Sequence, residues 1–220
     1  MLRKIGLYLV LLCGLTSCFE IVEDVTFRKN GSGVLKLIIN LSQSKNEINT
    51  LMKLDSNSGY RIPREKEINS YLDKAIITLK ATPGLSKIVL RRDFTNWVFE
   101  IETEFNNTKS LEEGMKAIYS EFSGGKQFSF RNKLIYNDKS LEREMEPFDE
   151  NVKKQLNKPT EKKIFARAKY TTIYHFENQV LTYSNKRAKL SPSKKAIMLQ
   201  TNVLNLINGI ESIQNNIKLN

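Results

Sequence analysis

The chain has 220 residues, of which 40% are hydrophobic and 9% aromatic, and its formal charge at pH 7 is +11. This composition excludes wholesale disorder and collagen-like or low-complexity sequence, and the length suits one domain with a sizeable core. The two cysteines, Cys13 and Cys18, both lie near the N-terminus, which excludes a disulfide framework and a cysteine-based zinc site in the rest of the chain.

The first 17 residues have the composition of a secretory signal peptide. Two cations, Arg3 and Lys4, precede an apolar run from Ile5 to Leu12, and small residues follow the run. The run is too short to cross a bilayer, which takes about 20 apolar residues. The sequence therefore predicts that residues 1–17 direct export, and no later segment reaches the length of a membrane span.

The end of this segment resembles the signal peptide of bacterial lipoproteins. Leu15-Thr16-Ser17-Cys18 fits the lipobox pattern of an aliphatic residue, two small residues and a cysteine. The resemblance implies that the Cys18 thiol takes a diacylglyceryl group, that cleavage occurs before Cys18, and that the new amine is acylated, for example with palmitate. Several acyl chains give stable membrane anchoring. The resemblance to Gram-negative lipoproteins further implies that Asp at position 19 favours retention in the inner membrane and that Phe19 does not. We therefore expect the outer membrane, with the protein facing the periplasm. The alternative is an ordinary cleaved signal peptide with an incidental cysteine.

The chain after Cys18 begins at once with a strand pattern. Apolar and polar residues alternate from Phe19 to Arg28, Asn30–Gly33 is a turn signal, and a second alternation runs from Leu35 to Leu41. This pattern predicts a hairpin with one solvated face. Because the first strand starts beside the anchor without a flexible tether, we expect the domain to lie close to the membrane.

Two units of hairpin plus helix are predicted in the first half. Helices are expected over about Lys45–Asp55 and after Pro63, and a second hairpin joins Ile88–Leu90 to Trp97–Phe105. The helix after Pro63 has an apolar face of Ile68, Tyr71, Leu72, Ala75, Ile76 and Leu79. A third helix has a capping box at Ser110–Glu113 and an apolar stripe of Leu111, Met115, Ile118, Tyr119 and Phe122.

The second half is predicted to contain strands around a polar excursion. The excursion covers residues 137–163 and includes a helix at Phe148–Leu156. Strands are expected over Gln127–Tyr136, Ala168–Phe176, Val180–Ser184 and Lys194–Gln200. The tail from Val203 to Ile217 fits either a helix or a strand.

Strands that alternate in polarity, interspersed with amphipathic helices, predict an α+β fold. We expect an antiparallel sheet with helices packed on one face, built from hairpin-helix units, as a single domain over residues 18–220. Nothing in the pattern indicates parallel β-α-β winding.

The sequence offers no catalytic motif. His175 is the only histidine, and a lone histidine favours a structural role over a metal site or a triad. Glu100, Glu102 and Glu104 share a strand face and could bind a cation or act as paired carboxylates, although an exposed charged face is the simpler interpretation. Ser123-Gly124-Gly125-Lys126 lacks the spacing of a phosphate loop. We therefore expect no enzyme activity, no cofactor and no metal site; a hydrolase with an unrecognised site is the minor alternative.

Two non-enzymatic functions remain. The first is a lipid- or apolar-ligand-binding module of the cell envelope, with a cavity lined by strand aromatics, which would equally serve as ordinary core. These aromatics are Trp97, Phe99, Phe105, Phe128, Phe130, Tyr170, Tyr174 and Phe176. The alternative is a structural or accessory subunit of an envelope complex that docks through a basic surface.

Charge is distributed unevenly along the chain. Residues Lys153–Lys195 hold twelve bases and two acids. We expect this stretch to face anionic lipid headgroups or an acidic envelope protein. Nucleic acid is not an expected partner, because no recognised binding motif is present.

The arrangement also resembles the LppM-like lipoprotein domain. The shared features are Cys18 in its lipobox, a strand that starts at once, the Asn30–Gly33 hairpin and the late strand Tyr170–Phe176. Together they span about half of the chain. The resemblance implies lipid association without catalysis, and it transfers no functional residue.

Overall fold

The computed structural model describes residues 19–54, 56–57, 60–122, 132–159, 162 and 165–220. The strands are β1 (Glu20–Phe27), β2 (Gly33–Asn40), β3 (Ser56–Asn57), β4 (Tyr60–Arg61), β5 (Leu85–Asp93), β6 (Val98–Phe105), β7 (Asn132–Asn137), β8 (Ser140–Met145), β9 (Lys169–Phe176), β10 (Val180–Tyr183), β11 (Lys189–Leu190), β12 (Ala196–Asn202) and β13 (Asn215–Leu219). The α-helices in this part of the chain are α1 (Lys45–Leu51), α2 (Glu65–Ala81), α3 (Thr108–Phe122), α4 (Glu150–Leu156) and α5 (Val203–Ile207).

The strands form two large sheets. The first has seven strands in the order β11-β12-β9-β1-β2-β6-β5, and the second has four in the order β10-β13-β8-β7. The α+β prediction is confirmed. The prediction of an antiparallel sheet is wrong at the centre of the first sheet, where β1 and β9 are parallel, from Glu20 opposite Lys169 to Phe27 opposite Phe176. Sequence patterns identify hairpins between neighbouring strands, whereas β1 and β9 lie far apart along the chain.

One face of the seven-stranded sheet is apolar and carries the main core. Residues of this inner face include Val25, Phe27, Tyr174 and Ile197, all at most 2% exposed. The four-stranded sheet covers one half of the face with Leu134, Leu141, Met145, Ile217 and Leu219. Helices α2 and α3 lie over the other half, near β5 and β6. The prediction of helices packed on one face did not include the second sheet, which covers part of the same face.

The predicted first hairpin is confirmed, and its turn explains two glycines. Gly31 has a φ of +85°, which an L side chain rarely adopts. A Cβ on Gly33 would collide with the Thr26 carbonyl and the Phe105 ring. The hairpin therefore ends with its turn held close against the core.

Several local predictions differ from the structure. The predicted capping box at Ser110–Glu113 is wrong, because α3 begins at Thr108 and the Asn107 side chain accepts a hydrogen bond from the Ser110 amide at 3.1 Å. Tyr71, placed on the apolar face of α2, is 51% exposed. The polar excursion contains the strand β8, and the tail contains both α5 and β13. The predicted strand residues 127–131 and the Ser123–Lys126 motif lie outside the described residues.

Candidate apolar binding site

Helices α2 and α3 pack against each other beside the edge of the seven-stranded sheet. Ala75 and Leu79 of α2 and Leu111 of α3 point inward and are at most 7% exposed. The two helices approach closely at Gly114, where a Cβ would lie 2.8 Å from Leu85 Cδ1 and 3.1 Å from Leu79 Cδ2. At this point the helices leave no room for a larger side chain at position 114.

The space that remains is an aliphatic crevice, which we call the α2–α3 crevice. Its volume is about 30 Å³, far below the roughly 300–1,000 Å³ of ordinary ligand pockets. Its lining residues come from three strands and both helices: Leu35, Leu37, Leu79, Leu85, Ile101, Thr103, Leu111, Met115 and Ile118. Met115 is 53% exposed, so one side of the crevice reaches solvent.

The lining favours hydrocarbon over a polar group. Among the described lining residues only Thr103 is polar, and its hydroxyl lies 3.1 Å from the carbonyl oxygens of Ser86 and Glu104. The inward-facing Leu35, Leu37 and Ile101 stay only half-buried, because the helices do not seal this half of the sheet. An apolar chain that entered here would cover these side chains and would meet no unpaired polar atom in the lining.

The predicted aromatic cavity is not the crevice. Trp97, Phe99, Phe105, Tyr174 and Phe176 are at most 7% exposed and pack in the interior, whereas the lining of the crevice, as far as the structure describes it, has no aromatic residue. Phe27 stacks on Tyr136 and Phe176, with ring centroids 4.4 and 5.7 Å away. Phe128 and Phe130 lie outside the described residues. Trp97, Phe99, Phe105, Tyr174 and Phe176 are thus part of the packed interior.

A buried ionic network joins the two sheets. Glu23 of β1 is 9% exposed, and Arg143 of β8 is 4% exposed. Arg143 Nη2 donates to Glu23 Oε2 at 2.9 Å, and the hydroxyls of Tyr170 and Tyr174 donate to the same carboxylate at 2.5 and 3.0 Å. Arg143 Nε has no hydrogen-bond partner among the described atoms. Sequence analysis missed this network.

The electrostatics of this network favour a structural role. Burial by itself lowers the pKa of Arg143, but the charge of Glu23 more than compensates and raises the pKa above its ordinary value. Burial raises the pKa of Tyr170 and Tyr174, and the charge of Glu23 adds to this effect. Both hydroxyls therefore stay protonated as donors, and neither is activated as a base or nucleophile.

The three strand glutamates belong to a network of exposed ion pairs. Lys36 Nζ lies 3.7 Å from carboxylate oxygens of Glu100 and Glu102, and Arg91 pairs with the same two residues. The hydrogen bond from Arg91 lowers the pKa of Glu102. Glu104 pairs with Lys87 at 3.1 Å. Each of the three carboxylates is paired with a lysine or an arginine of the protein, so their negative charge is balanced. The three glutamates therefore offer no open cation site.

A polar depression of about 460 Å³ lies beside this face. Its charged groups already have partners: Arg92 pairs with Asp73, and Asp93 accepts hydrogen bonds from Asn96. His175 lies elsewhere on the outer face, with Nε2 3.2 Å from an Asp24 oxygen. Within the described ranges, no three histidine, cysteine or acidic side chains converge to hold a metal ion.

The predicted lipid-attachment residue Cys18 and the lipobox Leu15, Thr16 and Ser17 lie outside the described residues, which begin at Phe19. The structure does place Phe19. Its carbonyl accepts a hydrogen bond from the Lys169 amide at 2.9 Å, and its ring contacts Phe165 edge-on at 5.5 Å. A small hydrophobic cluster of Ala168, Val203 and Ile207 lies beside it. Among the described helices, none is long and apolar enough to cross a membrane.

The basic stretch Lys153–Lys195 divides between two ends of the seven-stranded sheet. Lys169 and the described residues just before it lie where β1 and β9 begin, beside Phe19. Lys194 and Lys195 lie at the opposite end, where the Phe176 amide donates to the Lys195 carbonyl at 2.8 Å. Arg187, from the later part of the stretch, lies toward the first end, because it pairs with Glu211 at 2.7 Å and that carboxylate accepts a hydrogen bond from the amide of Asn202, the partner of Lys169.

Comparisons with known proteins identify no family. No family model matches the chain, and no curated protein matches it. Among solved structures, the folded domain of the Mycobacterium tuberculosis LppM protein aligns with 91% of this chain and 88% of its own length, at 10% sequence identity and a TM-score of 0.45. A likeness of that degree carries no argument about family, ligand or function.

Proposed function

We propose that this chain is a lipid-anchored protein of the cell envelope that holds an apolar chain in the α2–α3 crevice and catalyses no reaction. The observation that carries the ligand proposal is the lining of the crevice, which is aliphatic except for one threonine whose hydroxyl lies near two backbone carbonyls. The class of ligand that this lining favours is a single acyl chain. The anchor follows from the lipobox at Leu15–Cys18.

The size of the crevice sets a condition on binding. At about 30 Å³ it cannot hold more than a small part of an acyl chain as it stands. Binding therefore requires α3 to move away from the sheet and expose Leu37 and Ile101 further. The cost of that movement is offset by apolar burial, at about 25 cal/mol for each Å² removed from water.

The proposal is tested by photocrosslinking on the complete protein. The protein is purified from membranes and reconstituted into vesicles that contain a phospholipid with a diazirine in its acyl chain, and adducts are mapped by peptide mass spectrometry. We expect adducts on the peptides that carry Leu37 and Met115–Ile118. Adducts confined to residues near Phe19 would refute an acyl-chain site, because the anchor alone explains them.

A matched pair of variants identifies the crevice. Ile118→Trp places a bulky side chain in the lining and should reduce adducts on the Leu37 peptide. Ile77→Trp makes the same change at an α2 position that is 68% exposed and absent from the lining, so it should leave the adducts unchanged. The intact mass of the same preparation reports separately whether residues 1–17 are removed and Cys18 is acylated.

A further inference from the structure

The end of the seven-stranded sheet where β1 begins combines three features, and we call it the anchor end. The chain leads from Phe19 to Cys18 there, and adjacent Cα atoms are only about 3.8 Å apart. Phe19 is held in place by the hydrogen bond from Lys169 and by the ring of Phe165. Acyl chains on Cys18 would therefore enter the bilayer directly beside a fixed part of the fold.

Exposed cations lie on the described residues that lead from α4 to β9 at this end. They are Lys154, Lys158, Lys162, Arg167 and Lys169, and we call them the basic rim. The nearby Lys153 pairs with Glu150 at 2.7 Å. Helix α4, which supplies Lys154, is attached to this end through Leu156, which packs on the cluster of Ala168, Val203 and Ile207. The rim is therefore part of the folded structure at the anchor end.

An exposed apolar residue lies at the same end. Ile210, in the turn after α5, is 72% exposed. The turn is fixed by Gly209, whose φ is +72°, and by the Ile210 amide, which donates to the Asn205 carbonyl at 2.9 Å. The neighbouring Asn208 accepts a hydrogen bond from Asn157 Nδ2 at 2.7 Å, which joins the turn to the segment after α4. A branched aliphatic side chain beside lysines is the combination found at membrane interfaces.

We propose that the basic rim and Ile210 form a membrane-contact surface that binds anionic lipid headgroups and fixes the orientation of the protein on the bilayer. The inference rests on the anchor proposed above. Side chains so near the anchor lie within a Debye length, about 8 Å, of the headgroup phosphates. Salt therefore does not screen out the attraction between these cations and the phosphates. An acidic protein partner is the less favourable occupant, because it would have to displace lipid from the place where the chain enters the membrane.

Lysine footprinting on the complete protein tests this surface. The protein is reconstituted into vesicles of phosphatidylcholine alone or with phosphatidylglycerol, acetylated with a water-soluble reagent, and each lysine is quantified by mass spectrometry. We expect the labelling of Lys154, Lys158, Lys162 and Lys169 to fall by roughly fivefold in the anionic vesicles and to recover in high salt. Lys194 and Lys195, at the opposite end of the sheet, are internal controls and should not change.

A charge-matched pair of variants sharpens the test. Lys158→Glu/Lys162→Glu should abolish the protection of Lys154 and Lys169, whereas Lys194→Glu/Lys195→Glu, with the same change in net charge, should preserve it. Equal protection of the control lysines, equal protection in neutral vesicles, or no protection at all would overturn the proposal. Protection seen only in native membranes would also overturn it, in favour of an acidic protein.

The result is separable from the function proposed above. The labelling pattern reports on the basic rim, the intact mass reports on acylation of Cys18, and the photoadducts report on the α2–α3 crevice. A bare Cys18 would refute the anchor, and the same footprint can then be measured on protein added to vesicles from outside. An empty crevice would leave the footprint unaffected.

Discussion

Replacement of Glu23 by Leu should be among the most destabilising single changes in this protein. The substitution leaves the buried Arg143 guanidinium without its carboxylate partner and removes the acceptor shared by the hydroxyls of Tyr170 and Tyr174. Removing one member of a buried ion pair costs about 3–5 kcal/mol. Because two further donors lose their acceptor, we expect Glu23→Leu to lie at the upper end of that range.

The reverse change should cost less. In Arg143→Met the carboxylate keeps both tyrosine donors, so we expect a loss of about 2–3 kcal/mol. The double variant Glu23→Leu/Arg143→Met removes both charges and should cost less than the sum of the two single changes, because neither charge is then left buried alone. The expected interaction between the two substitutions is about 3 kcal/mol, in the stabilising direction.

Urea unfolding measures these differences, with the single tryptophan Trp97 as a fluorescent reporter and circular dichroism as a second probe. Trp97 is 5% exposed and lies away from the substituted residues, in the turn before β6. Equal losses of stability in the two single variants, which simply add in the double variant, would contradict this reasoning. The network would then not depend on the Glu23 carboxylate as the shared acceptor. If Glu23→Leu fails to fold, Arg143→Met and the double variant can still be compared. The difference between their free energies of unfolding shows whether the unpaired carboxylate of Glu23 destabilises the fold.

Three further changes have defined outcomes. Gly33→Ala should lower the free energy of unfolding by about 2–3 kcal/mol, because the new Cβ collides with the Phe105 ring and a backbone carbonyl. Asn49→Ala should cost about 1–2 kcal/mol and shift the fluorescence of Trp97, since Asn49 Oδ1 accepts from the buried indole Nε1 at 2.8 Å. In Glu211→Gln the free energy of unfolding should decrease less than in the wild type as the pH falls from about 5 to 3.

The sign of the Glu211 effect follows from its surroundings. Burial alone would raise its pKa, but hydrogen bonds from Arg187, the Asn202 amide and Asn205 outweigh burial and lower the pKa. A carboxyl whose folded pKa is lowered stabilises the protein above its unfolded pKa, about 4.3, and this contribution is lost as the pH falls through the folded pKa. A wild type and a Glu211→Gln variant with parallel pH profiles would contradict the assignment.

The other two changes have matched controls. Gly209→Ala alters a glycine whose Cβ would meet nothing within 4 Å, so it should cost only the strain of its positive φ, about 1 kcal/mol. Asn46→Ala, on the same helix as Asn49, should leave the fluorescence of Trp97 unchanged. A Gly33→Ala variant as stable as Gly209→Ala would show that the hairpin end is not tightly packed.

The sequence predicted the local structure better than the long-range pairing. The alternation from Phe19 to Arg28 and the turn at Asn30–Gly33 specify β1, β2 and their hairpin. Nothing local states that β1 pairs with β9, because that choice depends on how the whole inner face is covered. Likewise, β8 was missed because Arg143 makes its inward-facing row of Leu141, Arg143 and Met145 look polar.

The sequence nevertheless held a signal for the buried network. Glu23 stands in the inward-facing row of β1 among Ile21, Val25 and Phe27, which makes it a charge in an apolar row. A charge in such a position needs a partner of opposite sign and further hydrogen bonds. The partner itself, Arg143, could not have been named, because it comes from a strand of the other sheet. The α2–α3 crevice was equally beyond prediction, since it results from how incompletely two helices cover a sheet.

The parallel pairing of β1 with β9 has a mechanical consequence. Tension transmitted from a membrane anchor to Phe19 acts along β1, which lies in the interior of the sheet between β9 and β2. The hydrogen bonds on both sides of the strand then bear the load together in shear, rather than breaking one after another as in a peeled edge strand. Under a force on the anchor, β1 would stay in the sheet until its hydrogen bonds to β9 and to β2 broke together.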